Sequence, residues 1–398
     1  MKSQHLKITR DFSRTLEVRL LNWPKLIQII IGPRQVGKTT GVKQVFEQWQ
    51  GPKHFATADT PLPPTAEWII QQWNVARSTQ DNSLLVLDEI QKIDRWSEVV
   101  KKLFDEDRDA GKIRVIILGS ASLDLTRGLS DSLVGRYEVI PVPHWSFFEC
   151  NKAFDWTAEQ YLMFGGYPGA APLIEEPNRW QDYIANNIIS PVIHRDIPAL
   201  QDIRKPALFR QVFELALSYP AQEISFQKIL GQLQESGNAS TIKHYLEVLS
   251  QAFLIKTLEK YSTRPLSTKT SSPKIIPLCP ALIGAIAGPA KINNDREWRG
   301  RVLESCVGAQ LLRARGKLSY WREGRHEVDF VLERNNQVIA FEVKSNAKKP
   351  VSGLNAFISN FKNALAVQLD QQTAFRFLAS PDVDTFIDNE LLKGLTPQ

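Results

Sequence analysis

Gly32-Pro33-Arg34-Gln35-Val36-Gly37-Lys38-Thr39-Thr40 fits the phosphate-cradling pattern G-x-x-x-x-G-K-[ST]. The residues on either side agree with it. The apolar run Leu26-Ile27-Gln28-Ile29-Ile30-Ile31 reads as a buried strand. A helix-like stretch follows, from Thr39 to Trp49. That order sets backbone N–H groups and a helix N-terminus around a polyphosphate. The competing reading is an ordinary glycine-containing turn.

Ser83-Leu84-Leu85-Val86-Leu87-Asp88-Glu89 supplies the second half of such a site. It reads as a buried parallel strand with two carboxylates at its C-terminal end, where open α/β sheets bind ligands. With ATP and Mg²⁺ as cofactors, Lys38 would reach the β- and γ-phosphates, and Thr39 and Asp88 would hold the ion. Glu89 would orient and activate the attacking water. An acidic pair closing a strand can also be a helix N-cap. Beside the loop, the hydrolytic reading is the stronger one.

Trp96, Val99, Val100, Leu103 and Phe104 then recur at helical spacing, with Asp94 as the expected cap and Gly111 as the stop. Ile113–Leu118 reads as another buried strand, ending in Gly119-Ser120-Ala121-Ser122. Ser120 is the candidate sensor of the γ-phosphate; its alternative is a Ser/Thr turn. Leu133-Val134-Gly135-Arg136 ends a helix, and Tyr137–Ile140 is a short strand. Arg136 is a candidate arginine finger for a neighbouring subunit's site, with Arg127 as its competitor and a structural salt bridge as the alternative for both.

Taken together, these segments resemble the AAA+-type predicted ATPases of bacteria and archaea whose C-terminal part is a domain of unknown function. The resemblance rests on the Gly32–Thr40 loop, Leu87-Asp88-Glu89-Ile90-Gln91, Gly119-Ser120-Ala121-Ser122, Leu133-Val134-Gly135-Arg136 and Gly165-Gly166-Tyr167-Pro168. It covers nearly the whole chain. It implies an ATPase core, a helical lid after it, and action as a homo-oligomer, with a hexamer as one form. The core is expected over residues 1–145 and the lid and linker over 146–220. In the latter, Trp156–Met163 and Trp180–Ile189 have helical spacing and Gly165–Gly169 is a turn. Arg195-Asp196-Ile197 resembles a further family element to which no chemistry attaches.

Residues 221–265 read as a winged helix-turn-helix: a short helix over 227–234, a turn at Glu235-Ser236-Gly237-Asn238, a helix from Ala239 to about Ala252, and a strand over 253–258. The second helix offers Ser240, Thr241, Lys243 and His244 near its N-terminus as DNA contacts. Lys256 and Lys260 open a basic stretch that continues through Arg264, Lys269 and Lys274. The alternative is a winged helix used for packing. Pro265–Pro277 reads as a loop.

Residues 266–398 hold a second constellation. A helix over Arg296–Arg315 carries Glu304; Glu327–Leu332 and Gln337–Lys344 form a hairpin turning at Glu333-Arg334-Asn335-Asn336. Glu342 and Lys344, two apart, share one face of their strand, and Asp329 lies on the partner. Glu304, Asp329 and Glu342-x-Lys344 form the arrangement of the PD-(D/E)xK nuclease-like fold, whose active members bind Mg²⁺ through the carboxylates. The family's C-terminal part looks like this fold, with Asp329, Glu342 and Lys344 matching its motif. A degenerate DNA-binding site and a buried salt-bridge cluster are the alternatives. At Ile275–Pro280 the chain lacks the acidic residue and glycine that family members often carry.

The 398 residues suggest two to four domains, and 43% hydrophobic with 23% charged content is that of soluble globular protein. No uncharged apolar run approaches the roughly 18 residues of a membrane span, and the N-terminus has no signal-peptide character. Three scattered cysteines argue against a disulfide framework and for a reducing, cytoplasmic setting. Between Gln251 and Arg325 stand fourteen Lys and Arg against five Asp and Glu, whereas the rest of the chain carries 35 against 38. A basic stretch on a near-neutral body suggests DNA as partner, with solvated faces as the alternative. The expected fold is thus α/β: a P-loop NTPase parallel sheet, then helical lid, winged helix and a small α/β nuclease-like domain. The leading functional expectation is an ATP-hydrolysing DNA-remodelling motor acting on branched or damaged DNA. Its alternatives are a nucleotide-controlled switch for a protein partner and an ATP-regulated nuclease.

Overall fold

The computed structural model describes residues 8–22, 25–62, 64–79, 82–108, 111–119, 132–201, 203–233, 235, 237–262, 271–344 and 352–395. The chain divides into two compact units, residues 1–144 and 145–398.

The first unit is built on a five-stranded parallel sheet. Its strands are β1 (Ile27–Ile31), β2 (Lys53–Thr57), β3 (Ser83–Asp88), β4 (Ile113–Leu118) and β5 (Tyr137–Pro141), in the order β2-β3-β4-β1-β5. Near-continuous Ile, Leu and Val runs make β3 and β4 because strands of a parallel sheet are covered on both faces. Helices α1 (Asp11–Asn22), α2 (Lys38–Gln48), α3 (Ala66–Arg77) and α4 (Trp96–Asp107) surround the sheet. Trp73, Trp96, Val100, Leu103 and Phe104 bury against Leu85, Leu87 and Ile117. Asp94 does not cap α4. The helix starts after Arg95, which is left-handed (φ 53°) and whose guanidinium reaches Glu98 at 3.1 Å.

The second unit opens with two helices, Phe147–Phe154 and Ala158–Phe164, each begun by a capping box, Ser146 with Glu149 and Thr157 with Gln160. Gly165, at φ 63°, ends the second; a Cβ there would stand 2.2 Å from the Ala281 nitrogen. A helical run follows over 177–200, and its Ile184–Ile189 and Val192–Asp196 segments are wound as π-helix.

Next come α5 (Pro206–Ser218), β6 (Gln222–Glu223), α6 (Phe226–Leu230), α7 (Ala239–Gln251), β7 (Ile255–Leu258) and β8 (Lys274–Pro277). Ser225 and Asn238 cap α6 and α7 through their side chains. The three strands form an antiparallel sheet in the order β6-β8-β7. The loop expected over Pro265–Pro277 is corrected at its end: Lys274–Pro277 is a strand buried at every position, paired to both neighbours. Flanking prolines hid a two-residue apolar core, Ile275-Ile276. This strand lies beyond the expected division at 265/266 and completes the sheet that begins before it.

Further along come α8 (Arg296–Leu311), β9 (Lys317–Glu323), β10 (His326–Arg334), β11 (Gln337–Lys344), α9 (Ser352–Asn360), β12 (Ala364–Asp370) and α10 (Gln371–Leu378), with short helices before and after them. The sheet order is β12-β11-β10-β9, parallel between β11 and β12 and antiparallel elsewhere. Asn335 and Asn336 both adopt positive φ (47° and 61°), the conformation a two-residue hairpin turn requires. Helix α8 ends at Leu311, earlier than the expected Arg315. All three cysteines are buried and unbridged.

Candidate functional site

The loop between β1 and α2 is closed by left-handed residues. Gln35 (φ 58°) and Gly37 (φ 85°) turn the backbone so that α2 begins at Lys38. Lys38 is buried, and its Nζ donates to the carbonyls of Gly32 (2.9 Å) and Pro33 (2.6 Å). Burial pushes its pKa down to about 8, partly opposed by the charge of Glu89. Arg10, buried on the segment before α1, braces the loop: it donates to the Val36 carbonyl at 2.9 Å and the Pro143 carbonyl at 3.0 Å. Sequence reasoning missed Arg10. Its partners are 26 and 133 residues away, and no local pattern marks it.

Asp88 ends β3 beside β4 and is buried. Burial, then the neighbouring Glu89, raises its pKa to about 6. Its Oδ1 is buried with no hydrogen-bond partner among the described residues. Glu89 is left-handed (φ 55°), and its N–H donates to the Leu118 carbonyl at 2.9 Å. The Gln91 amide donates to Glu89 Oε2 at 2.7 Å. Gly119 makes room for that amide, since a Cβ there would meet Gln91 Oε1 at 2.2 Å. The structure thus gathers Lys38, Asp88 and Glu89 at the C-terminal ends of β1 and β3, where their charges act on one another. Gln91, to which the sequence motif attached no role, is a further member. Ser120 and Arg127 lie outside the described residues. Arg136 sits just before β5, and its guanidinium pairs with both oxygens of Asp105, at 2.6 and 2.9 Å.

The second unit brings together Glu304, Asp329, Glu342 and Lys344, and adds Lys274. Lys274 Nζ lies 2.5 Å from Glu304 Oε1, 3.5 Å from Asp329 Oδ1 and 3.1 Å from the Asp329 carbonyl. Asp329 Oδ2 accepts the Val343 N–H at 2.8 Å, and Lys344 pairs with Glu342 Oε1. Burial, then the charge of Asp329, pushes both Glu304 and Glu342 up from the carboxylate range. Burial disfavours the Lys274 and Lys344 charges, but their carboxylate neighbours hold both above the usual lysine value. Lys274 therefore leaves the solvated basic stretch in which the sequence put it. Others of that stretch are paired: Arg299 with Glu159, Lys317 with Glu259, Arg322 with Glu223.

On α7, Ser240, Lys243 and His244 are exposed and Thr241 is half-buried. Both hydroxyls donate to Asn238 Oδ1, at 2.6 and 3.0 Å, and Lys243 lies 4.0 Å from Glu247. Lys256 is exposed on β7, and Lys260 is half-buried and bridged to Tyr320.

Comparison with known proteins agrees with the first unit. Residues 24–151 match the family described as AAA domain. Residues 155–292 and 299–380 match two families described as Domain of unknown function (DUF8612) and Domain of unknown function (DUF4143). The chain is 26% identical over 392 residues to an uncharacterized protein of Methanocaldococcus jannaschii, covering 89% of this chain and 83% of the relative. It is 27% identical over 356 residues to an uncharacterized protein of Mycobacterium tuberculosis, covering 86% and 75%. Among solved structures it is similar to the Walker-type ATPase of Pyrococcus abyssi, at 15% identity and a TM-score of 0.45, covering 70% of this chain and 97% of that one. The first unit has an α/β fold, and its family match is to an AAA domain. No helix among the described residues is long and apolar enough to cross a membrane.

Proposed function

We propose that the chain is an ATP-hydrolysing, DNA-binding motor of the AAA+ type that works as a cytoplasmic homo-oligomer. The observation that carries the reading is the joint burial of Lys38 and Asp88 at one end of a parallel sheet, with Glu89 beside them. A buried ammonium whose acceptors among the described residues are backbone carbonyls is poised to exchange them for phosphate oxygens. The unpartnered Asp88 Oδ1 and the Thr39 hydroxyl are hard oxygen donors that would hold Mg²⁺, which would supply charge neutralisation to a bound polyphosphate. Glu89 accepts the proton of the attacking water, and Gln91 holds its carboxylate in place. Arg136 would serve as the finger only by leaving Asp105 in exchange for a neighbour's phosphates.

Support for the DNA half comes from topology. The order helix, strand, helix, helix, strand, strand over 206–277, with sheet order β6-β8-β7, supports a winged-helix reading in which α7 is the recognition helix. The order α8-β9-β10-β11-α9-β12 with a mixed sheet supports the nuclease-like reading of the last part. The region before α5 is then the lid and linker. Branched or damaged DNA is the favoured substrate class, because a motor joined to a nuclease-like fold suits irregular DNA.

The test is ATP turnover alone and with single-stranded, duplex and four-way-junction DNA, with Lys38→Ala as control. Stimulation by junctions that vanishes in the variant is expected. Turnover indifferent to every DNA would move the reading to a nucleotide-controlled switch for a protein partner. That second reading is favoured by the internal pairing of Arg299, Lys317 and Arg322, which lowers the positive charge left for phosphates.

A further inference from the structure

The cluster in the second unit has a member that metal-dependent cleavage does not use. In an active site of this kind a divalent ion bridges the carboxylates. Between Glu304 and Asp329 the bridging position is taken by the Lys274 ammonium, 2.5 Å from one carboxylate and 3.5 Å from the other. This lysine is not a surface side chain that has folded inward. It sits on β8, held on both sides by β6 and β7, and its ammonium lies 4.9 Å from the Phe330 ring centroid.

Other carboxylate oxygens here have partners of their own; Glu342 Oε2 is buried with none among the described residues, a single oxygen that does not make up a metal's ligand set. Asp329 accepts from the Val343 backbone, and Glu342 pairs with Lys344. Among the described residues no three His, Cys, Asp or Glu side chains converge as a metal ion would require. The neighbouring stretches 263–270 and 345–350 contain none of these residue types. A divalent ion entering this site would meet a buried positive charge at ion-pair distance from two of its three carboxylates. The residues present therefore do not fit the metal that the nuclease-like fold implies.

We propose that Lys274 is the resident cation of this cluster: it occupies Glu304 and Asp329 so that no divalent ion binds, and the unit does not cleave phosphodiesters. The five side chains instead lock β8 of the three-stranded sheet to α8 and β10. Breaking one side of such a pair leaves an uncompensated buried charge, whereas neutralising both partners does not. The proposal stands apart from the ATPase and DNA readings, which survive its failure.

The experiment is Mn²⁺ binding to the full chain, read from the paramagnetic resonance of the free ion. It is done without nucleotide and in an Asp88→Asn background that disables the ATPase site. No binding at millimolar Mn²⁺ is expected with the cluster intact, and a gain of about tenfold or more in affinity with Lys274→Met, because removing a charge from the ligand set tunes affinity directly. Asp329→Asn on top should abolish the gain. Stoichiometric binding with Lys274 in place, lost on Asp329→Asn, would overturn the proposal, as would a folded Lys274→Met chain that gains none. Should Lys274→Met not fold, Lys274→Met with Glu304→Gln replaces it for stability. Recovery of a cooperative melting transition supports the lock, its absence counts against it, and the measurement on the intact cluster decides the metal question alone.

Discussion

Asp88 is a carboxylate kept where burial opposes its charge. A carboxyl raised to about 6 in the folded chain, against 3.8 unfolded, binds its proton more tightly when folded. Folding is therefore helped by this group below pH 4, and the help is lost as pH rises through about 6. Asp88→Asn should stabilise the nucleotide-free protein by up to about 3 kcal/mol at pH 7, with no gain below pH 4, while abolishing hydrolysis. Urea titrations at several pH values check the sign; a destabilised variant at pH 7 would show that Asp88 is paired in solution. The residues of this site were legible because Gly32–Thr40 and Asp88-Glu89 are contiguous motifs. Lys274 and Arg10 were not, since their meaning lies in partners 30 and 55, or 26 and 133, residues away. As a run of letters Lys274 is one more basic residue, and only the pairing of β8 turns it inward.

Elements show the same division between local and distant causes. The bounds of β3 and β4 follow from near-continuous apolar runs, and α7 from Asn238 and its periodic face. β8 escaped because four residues between prolines and a Ser/Thr-rich stretch carry no period, and its strand character comes from two neighbours. Close approach between elements is equally invisible. α9 reaches β10 at Gly353, where a Cβ would stand 1.8 Å from the Glu327 carbonyl oxygen. Gly353→Ala should push the helix off the sheet and cost about 1–3 kcal/mol; thermal denaturation tests it, and an unchanged Tm would mean the helix yields freely. Gly119→Ala should act on turnover rather than on folding. Its methyl displaces the Gln91 amide from Glu89, so kcat is expected to fall with little change in KM, and a raised KM alone would count against the arrangement.

At the scale of the molecule the chain has two units with separate sheets. A nucleotide that binds only the folded first unit stabilises it by about 2.7 kcal/mol at a hundred times its Kd. Calorimetry with Mg²⁺ and a non-hydrolysable ATP analogue should therefore raise one melting transition, and Lys38→Ala should remove the shift. If the chain binds DNA as proposed, its affinity should fall with added salt. Each phosphate neutralised contributes a slope of about −0.9, and Lys256→Ala with Lys243→Ala should reduce the slope by about two. A slope unmoved by the pair would exclude both lysines as phosphate contacts. The three-stranded sheet carries a last implication, for inheritance. Its final strand is encoded after a long connection and delivers its lysine into the four-stranded part. Recombination that exchanged the chain beyond residue 265 for a relative's would separate β8 from the strands it evolved against. The two parts have to be passed on and diverge as one cassette, so hybrid genes joined there should yield insoluble protein more often than hybrids joined between residues 144 and 145.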